Sequence, residues 1–348
     1  MNPHLQVWNL SADDFPDDGF AADQLECLLA YAILAPSSHN TQPWLFRINA
    51  MDVDLFADRR YATRVVDPYD RELTISCGAA LFNLRVAAEY FGHQYRVELL
   101  PDPGEPNLMA RFHLGLRAET SSEDILLFHA ITQRRTNRQP FRPDPVPEVL
   151  LAALAAAAEK EGAWLQVIAT EEARNAVADL VAEADRVQWA DKAFRQELAN
   201  WVRTKPEVAR DGLPAHALGV KDWLAFAGPA LIRTFDRGAG QAAKDREIAL
   251  YTPVLAVVGT DTDEPRAWLQ AGQALQNVLL RARADDLWAS FLNQPIEVPH
   301  LRVRLAETIG RTTFPQLLLR LGYGPDTPPT PRRTVREVLL KQTRPHLT

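Results

Sequence analysis

A polar loop bracketed by two prolines carries the densest set of chemically active side chains in this sequence. It follows an apolar, helix-like run that must end at Ala35, because Pro36 disfavours the α conformation of the residue before it. Hydroxyl, imidazole and carboxamide groups then follow one another with little apolar cover. We expect this loop to bind a ligand, although the same residue types also form capped turns that bond only to their own backbone. The candidate contact residues are Pro36, Ser37, Ser38, Asn40 and Gln42.

A second polar segment lies far downstream and is rich in arginine. It contains Arg134, Arg135, Thr136 and Arg138, between a short helix-like stretch and a proline-rich connector. Guanidinium groups grip the oxygen pairs of a phosphomonoester, and each charge-assisted hydrogen bond contributes about 1.5 to 3 kcal/mol. The segment is therefore predicted to bind a phosphate group, with a solvated turn as the alternative.

Together these two segments resemble the flavin-contacting elements of the FMN-dependent nitroreductase family. In that family a Pro-Ser-Ser-x-Asn-x-Gln-Pro-Trp loop from one subunit and an Arg-Arg-Ser-x-Arg segment from the other contact FMN at a dimer interface. The resemblance implies an α+β, nitroreductase-like fold, with Thr136 standing where the family usually has serine. It covers most of residues 20–340, and the motifs taken together are similar to the Acg-like branch of the family.

Two later segments resemble further parts of the same flavin site. Gln294, Pro295 and Glu297 lie in a run like the family's Pro-x-Glu-Gly segment, whose glycine N–H lies against flavin N5; here Val298 replaces the glycine. Valine loses access to positive φ and adds bulk, so the geometry of this redox face is expected to change. The alternative is a loop in which Glu297 only pairs with an arginine.

The C-terminal arginines and the loop histidine complete the set of candidate site residues. Arg332 and Arg333 resemble the family's late basic segment, which returns to the FMN phosphate, and a solvated tail is the alternative. His39 is either a group at the flavin edge or a solvated loop residue. A third arginine cluster, at residues 59–64, is expected to be structural or to contact a lid.

An internal repeat suggests how the two flavin elements meet. The heptapeptide that starts at Gly78 and contains Asn83 recurs with Gly272 and Asn277 in the matching positions. Only the first copy has the Pro-Ser-Ser loop, and only the second has the double arginine. We therefore predict two pseudo-symmetric halves fused in one chain, resembling a nitroreductase dimer, with one flavin site between them.

The predicted domain bounds follow from this repeat. The first half spans residues 20–118, and the second spans residues 119–340 with a helical insertion at about 189–250. The insertion is rich in aromatic residues, which must be buried, and both a lid over the flavin cleft and plain core packing would bury them. These aromatic residues are Trp189, Trp201, Trp223, Phe226 and Phe235.

Composition narrows the class of protein. The chain has 348 residues, a formal net charge of −7 and 47% hydrophobic residues, so it has enough apolar material for a large core. The negative charge argues against nucleic acid as a partner. No apolar run approaches the ~20 residues that span a bilayer, and the N-terminus shows no signal pattern. We expect a soluble, cytoplasmic protein that acts on a small molecule and has no membrane partner.

The positions of the two cysteines are compatible with a reducing cytoplasm. Cys27 and Cys77 lie in apolar, helix-like contexts and suggest neither a disulfide nor a metal site. Because a fused pair of halves needs no partner, a monomer would suffice as a pseudo-dimer, and a homodimer remains an open alternative.

The resemblance implies an FMN-binding oxidoreductase of the nitroreductase type. NAD(P)H would deliver hydride through flavin N5 to a nitro compound or quinone. NAD(P)H is expected as a transient co-substrate, since no Gly-x-Gly-x-x-Gly motif follows a strand. The alternative is a flavin-holding or sequestering protein whose lid closes the active site and leaves little turnover.

Overall fold

Two four-stranded antiparallel sheets with the same strand order form the framework of the protein. The computed structural model describes residues 2–205, 208–214, 228–234 and 236–341. The first sheet comprises β1 (Trp44–Asn49), β2 (Asp52–Ala57), β3 (His93–Leu99) and β4 (Leu108–Arg117), in the order β1-β2-β4-β3. The second comprises β5 (Trp164–Val167), β8 (Val254–Thr260), β9 (Trp288–Phe291) and β10 (Phe314–Gly322), in the order β5-β8-β10-β9. The repeat seen in the sequence is therefore a repeat of sheet topology.

Helices accompany the two sheets in matching positions. Within its predicted bounds the first half contains α2 (Ala21–Ala32) and α3 (Arg71–Tyr90); α1 (Pro3–Gln6) precedes it, and α4 (Ser122–Ile131), from the chain of the second half, packs into the core of the first. The second contains α5 (Glu148–Glu159), α10 (Pro265–Ala284), α11 (Gln294–Glu297), α12 (Pro299–Thr308) and α13 (Val335–Val338). Short 3-10 helices cover Ala12–Asp14, Ser38–Asn40 and Arg59–Tyr61. The stretch around Glu297, for which a loop was the alternative interpretation, forms a short helix.

Additional helices lie between β5 and β8. They are α6 (Glu171–Ala190), α7 (Lys192–Trp201), α8 (Gly228–Thr234) and α9 (Gly238–Tyr251), with the two-residue strands β6 (Val202–Arg203) and β7 (Leu213–Pro214). The first of them begins at Glu171, and the predicted bounds of the insertion stay a prediction. Trp189 is buried and packs edge-on against Phe194, and the Trp201 ring centroid lies 6.2 Å from that of Tyr61 in the first half. The predicted lid residues Trp223, Phe226 and Phe235 lie outside the described residues.

The second sheet is covered on both faces because its central strand is apolar throughout. Val254, Ala256 and Val258 of β8 face a core that includes α10. Leu255 and Val257 alternate with them and face a core built by α6 and α12. The first sheet has one apolar face, and its other face carries Asp54, which pairs with Arg47 and Arg111. In the described part of the insertion, α6 therefore covers a face of the second sheet.

The crossing of α3 and α10 joins the halves. Gly78 and Gly272, which are equivalent in the repeat, face each other there: a Cβ on Gly272 would lie 2.0 Å from the Ile75 carbonyl oxygen, and one on Gly78 would lie 2.3 Å from that of Leu269. Glycine is needed at both positions because the two backbones touch.

Matching asparagines fix the helix ends around this crossing. Asn83 Nδ2 donates to the Tyr31 carbonyl at the end of α2 (3.0 Å), and Asn277 Nδ2 donates to the Ala157 carbonyl at the end of α5 (3.1 Å). The prediction of two pseudo-symmetric halves is confirmed at the level of the fold, and the exact domain bounds stay a prediction.

Two extended arms cross from one half to the other. The C-terminal arm is the segment after β10, residues 323–341. It reaches the first sheet, where Leu339 forms a bridge with Phe46 of β1. The segment after α4 reaches the edge of the second sheet, where Thr136 bridges to Ala289 of β9. These crossings bring both arginine segments to the boundary between the halves.

Candidate functional site

The loop at residues 36–42 adopts a strained backbone. His39, Asn40 and Gln42 have φ values of 50°, 56° and 55°, which side chains other than glycine rarely adopt. Each such residue costs on the order of 1 kcal/mol or more, and this kind of strain concentrates at functional sites. The Ser37 hydroxyl accepts a bond from the Gln42 N–H (2.9 Å), and the Ser38 hydroxyl donates to Glu72 at the start of α3. The loop is held in this shape by the rest of the protein.

The carboxamides of Asn40 and Gln42 bind the protein itself. Arg332 donates to Asn40 Oδ1 (2.6 Å), and Asn40 Nδ2 donates to the carbonyls of Pro331 and Gly212 (both 3.0 Å). Gln42 Oε1 accepts from the backbone N–H of Arg333 at 2.7 Å. Gln42 Nε2 donates to the Arg210 carbonyl at 2.9 Å. These two side chains therefore join the loop to the C-terminal arm and to the insertion, a role that their residue types alone did not indicate.

Arg134, Arg135 and Arg332 form a cluster of positive charge around Trp8. The guanidinium carbons of Arg135 and Arg332 lie 3.8 Å and 4.9 Å from the Trp8 ring centroid. Arg134 and Arg332 both donate to the Leu34 carbonyl, at 3.1 Å and 3.5 Å. Among the described residues, no carboxylate forms an ion pair with any of the three.

Burial makes this unpaired charge costly. Burial and mutual repulsion lower the pKa of Arg134 to about 9 and that of Arg332 well below its usual value. Burial, followed by the nearby charge of Arg283, lowers the pKa of Arg135 to about 10. The buried Nε atoms of Arg134 and Arg332 have no hydrogen-bond partner within the described ranges. Such a cluster is stabilised by an anion.

Arg333 differs from its neighbour Arg332. Its guanidinium donates to the Gln42 carbonyl (3.0 Å) and lies 3.6 Å from the buried carboxylate of Asp58. Its charge is thus compensated inside the protein, and only Arg332 of the predicted C-terminal pair brings free charge to the cluster. The third arginine cluster is structural as expected, since Arg60 pairs with Asp58 and both Arg59 and Arg64 pair with Asp70.

Arg138 lies near His39 of the loop. Arg138 is exposed, and no bond or ion pair is formed by its side chain in the part of the chain that the structure describes. Burial still lowers its pKa, so protein surrounds this guanidinium on most sides while one side meets solvent. Burial and the charge of Arg138 lower the pKa of His39 to about 4, and its buried Nδ1 has no partner among the described residues. His39 is therefore neutral at pH 7.

Carboxyl groups gather near the Ser38 side of the loop. Glu72 accepts from Ser38 and from Arg71 (3.2 Å), and its charge acts on Glu297 of α11. Burial, followed by the charge of Glu72, raises the pKa of Glu297 to about 8. Gln188 of α6 donates to Glu297 at 2.6 Å. Glu297 is thus protonated at pH 7 and is held by an amide rather than by an arginine.

Val298 does not disturb the segment that contains Glu297. Its φ is −105°, so the backbone at this position needs none of the freedom of glycine. The expected change of geometry is absent from the backbone, and the buried valine side chain lies in the core shared by α6 and α12.

Two site residues were missed by sequence reasoning. Asp185 of α6 and Asp245 of α9 both accept a hydrogen bond from Gln294 Nε2, at 3.3 Å and 2.9 Å. Asp185 lies on the same buried face of α6 as Val181 and Ala184. An aspartate at a position where the helical pattern expects an apolar residue is the signal that could have identified it.

Other features of the structure add no further site. A surface cavity of about 570 Å³ lies beside Arg135, between Trp288 and Asp326. No group of three or more His, Cys, Asp or Glu residues in the described ranges could hold a metal ion. Cys27 and Cys77 are free, and no helix among the residues described is long and apolar enough to cross a membrane.

Comparison with known proteins gives consistent matches. A model of the nitroreductase family matches residues 131–323, more than half of the chain. A protein of Mycobacterium tuberculosis H37Rv, provisionally named NAD(P)H nitroreductase Rv3131, is 34% identical over 93% of this chain and 92% of its own length. The protein provisionally named NAD(P)H nitroreductase acg, from the same organism, is 28% identical over 95% of this chain and 99% of its own. The solved FMN-dependent nitroreductase NfnB of Mycobacterium smegmatis, in complex with NADPH, is 18% identical, with a TM-score of 0.41 over 63% of this chain and 99% of that one.

Proposed function

The chain belongs to the nitroreductase family, and we propose that it is an FMN-binding oxidoreductase that uses NAD(P)H to reduce a nitro compound or a quinone. The names of Rv3131 and acg, which match nearly the whole chain, support NAD(P)H as the reductant. A single chain would suffice as a pseudo-dimer, with a small molecule as substrate. A cytoplasmic location would suit its two free thiols.

The unpaired guanidinium cluster is the observation that carries this proposal. In the described part of the chain Arg134, Arg135 and Arg332 form no ion pair, and only the charge of Asp326 acts on Arg135 from a distance; the three lie next to the strained loop. A phosphomonoester carries close to two negative charges and accepts several hydrogen bonds. The residues present therefore fit the FMN phosphate, and Arg332 links them directly to Asn40 of the loop.

Arg138, His39 and Glu297 would hold the flavin ring. FMN, when bound, supplies reversible hydride transfer. Arg138 holds a positive charge free of any carboxylate among the described residues, so it stabilises negative charge that develops on a bound ring. His39 is neutral and offers one donor and one acceptor. Glu297 holds a proton on its carboxyl group at pH 7 and is placed to act as a general acid.

Only one flavin site per chain is expected. The turn after α5 takes the position that the flavin loop takes after α2. There Arg85 of α3 pairs with Glu161 and donates to Gln273 (2.7 Å) and Tyr95 (2.9 Å). Side chains of the protein thus occupy the pseudo-symmetric position, and the acidic N-terminal segment offers no arginine pair there.

We therefore expect purified protein to be yellow and to release one equivalent of FMN, and no FAD, per chain. Denaturation followed by chromatography identifies the flavin, and absorbance against protein mass gives the stoichiometry. Recovery of FAD, or a colourless protein that FMN does not reconstitute, would contradict the proposed function. Two equivalents per chain would contradict the single composite site.

A flavin-holding protein is the second candidate, because the insertion already contacts the site. The Arg210 and Gly212 carbonyls bind the loop carboxamides, and Gln188 binds Glu297. Glu197 of α7 also accepts backbone N–H groups of Val65 and Val66 in the first half. The described part of the insertion therefore spans both halves, as a lid would.

Stopped-flow reduction separates the two candidates. We expect NADH or NADPH to bleach the bound flavin within seconds, because Arg138 is exposed and His39 is only partly buried. Yellow colour that persists for hours in excess NADH and NADPH would favour the holding protein. If dithionite also fails to reduce the bound flavin, the flavin is not bound in a functional site.

A further inference from the structure

Two acidic side chains meet inside the insertion where its helices α6 and α9 pack together. Asp185 and Asp245 are only 2% and 7% exposed, and their carboxyl groups lie within hydrogen-bond reach of each other. Each accepts a bond from the same amide nitrogen, Nε2 of Gln294 in α11. Gln241 adds one further bond to Asp245, at 2.9 Å.

The positive charges around this pair act on it without pairing with it. Arg186 faces Asp185 from α6 itself, Lys244 approaches Asp245 from α9, and Arg320 approaches from β10. None of them forms a hydrogen bond or ion pair with either carboxyl group in the described part of the chain, and Arg320 donates to backbone carbonyls instead. From α11 only the neutral amide of Gln294 reaches the pair.

Two buried carboxyl groups in contact cannot both be ionised at neutral pH, because their like charges repel in a medium of low polarity. Burial, followed by the charge of Asp245, raises the pKa of Asp185 to about 8, and burial raises the pKa of Asp245. One proton shared between them turns repulsion into a hydrogen bond.

The pair also decides which way the Gln294 amide faces. Both carboxyl oxygens accept, so the amide must present its NH2 group to them, and Oε1 lies on the other side. That Oε1 atom is buried and has no partner among the described residues, and neither has Asp185 Oδ2. The orientation leaves an acceptor in Gln294 available to an N–H group of a bound molecule.

We propose that Asp185 and Asp245 share one proton and so act as positioning residues that hold Gln294 for FMN. This proposal rests on the proposed function of the chain as an FMN enzyme. Release of the proton would place two negative charges in contact, push α6 away from α9, and free Gln294 and α11. The insertion thereby couples the geometry of the flavin site to pH.

The test compares Asp185→Asn and Asp245→Asn in a Glu297→Gln background. Glu297 also has a raised pKa near 8, so its replacement removes a further carboxyl that titrates between pH 7 and 9; Asp67, whose pKa burial raises to about 6, titrates below this range. Asparagine donates to the remaining aspartate without needing a shared proton, so each variant keeps the contact at any pH. Asp179→Asn is the matched control, because Asp179 joins α6 to Arg246 of α9 by an exposed ion pair.

FMN affinity is the first readout. In the Glu297→Gln background we expect the Kd for FMN to rise about tenfold between pH 7 and 9, as linkage to one proton demands. The rise should persist in the Asp179→Asn control and disappear in Asp185→Asn, which should keep tight binding at pH 9. A flat profile in the parent protein, or an unchanged rise in both pair variants, overturns the proposal.

The FMN-free protein provides a second readout that does not depend on flavin binding. The folded state keeps a proton that an unfolded aspartate releases above about pH 4, so the pair's contribution to stability is lost as pH rises from there through about 8. This loss should be smaller in Asp185→Asn. Infrared spectra at pH 7 should show a protonated-carboxyl band that both pair variants lack.

The two readouts separate failure of the proposal from failure of the function. If no variant binds FMN at pH 7, the proposed function is wrong, and the infrared band still decides whether the pair shares a proton. If FMN binds and the band is already absent from the parent protein, the shared proton is wrong. Asp245→Asn gives the same comparison should Asp185→Asn fail to fold.

Discussion

Arg134→Met is expected to stabilise the FMN-free protein while it weakens FMN binding. Arg134 is buried, makes a single side-chain hydrogen bond, to the Leu34 carbonyl, and lies beside Arg135 without an ion-pair partner in the described residues. Methionine fills a similar volume without charge. Removing a buried, uncompensated charge should raise the free energy of unfolding by on the order of 1 to 3 kcal/mol. Losing one charge-assisted contact to phosphate should cost about 2 kcal/mol, or ~30-fold in the Kd for FMN.

Riboflavin and a neighbouring arginine provide the controls for this variant. Riboflavin lacks the phosphate, so the Arg134→Met variant should bind it with a Kd within about twofold of the wild-type value. The Kd of the variant for FMN should rise toward its Kd for riboflavin. Arg333→Met should destabilise the protein by about 1 kcal/mol or more, because it leaves the buried Asp58 with Arg60 alone. Urea unfolding and fluorescence titration measure both quantities. Equal losses of FMN and riboflavin affinity in Arg134→Met would mean that the arginine cluster does not bind the phosphate.

Gly272→Ala is expected to destabilise the folded protein by about 3 kcal/mol or more. The new Cβ would lie 2.0 Å from the Ile75 carbonyl oxygen and 2.9 Å from the Gly78 Cα, and neither backbone atom is able to move without separating α3 from α10. Since that crossing holds together the two halves and the flavin site proposed between them, FMN binding should be lost as well. A shift of the urea midpoint measures the effect.

Gly240→Ala is the matched control for a glycine in a helix. Gly240 lies in α9, and a Cβ there would meet nothing within 4 Å. Alanine should therefore stabilise the helix by roughly 0.5 to 1 kcal/mol. If Gly272→Ala and Gly240→Ala changed the urea midpoint alike, close contact of the two helices would not be what requires glycine at position 272.

Local pattern was enough to identify the elements and the chemistry of the two main segments. The helix before Pro36, α2, ends at Ala32, three residues ahead of the limit that Pro36 sets at Ala35, and the repeat around Gly78 and Gly272 predicted two halves with one topology. Helix periodicity, proline and glycine act over a few residues, so their consequences are readable from neighbours in the sequence. Family resemblance then supplied FMN, which no local pattern contains.

The sequence did not reveal which arginines lie near a carboxylate in the folded protein. Arg332 and Arg333 are adjacent and chemically identical, yet only Arg333 lies near a carboxylate, that of Asp58. The carboxamide of Asn40 looked free for a ligand and is instead bound to Arg332 and Gly212. Neighbouring residues do not reveal these partners.

The composite site therefore has two origins. Residue type and spacing determined which groups were available: a strained polar loop, two arginine segments and a repeated helix pair. The tertiary structure decided which of those groups keep an unsatisfied charge or acceptor, as Arg134, Arg138 and Gln294 do among the described residues. The reason is that burial and counter-charges come from segments distant in the chain, and only the packing of α3 on α10 and the crossing of the two arms brings those segments together.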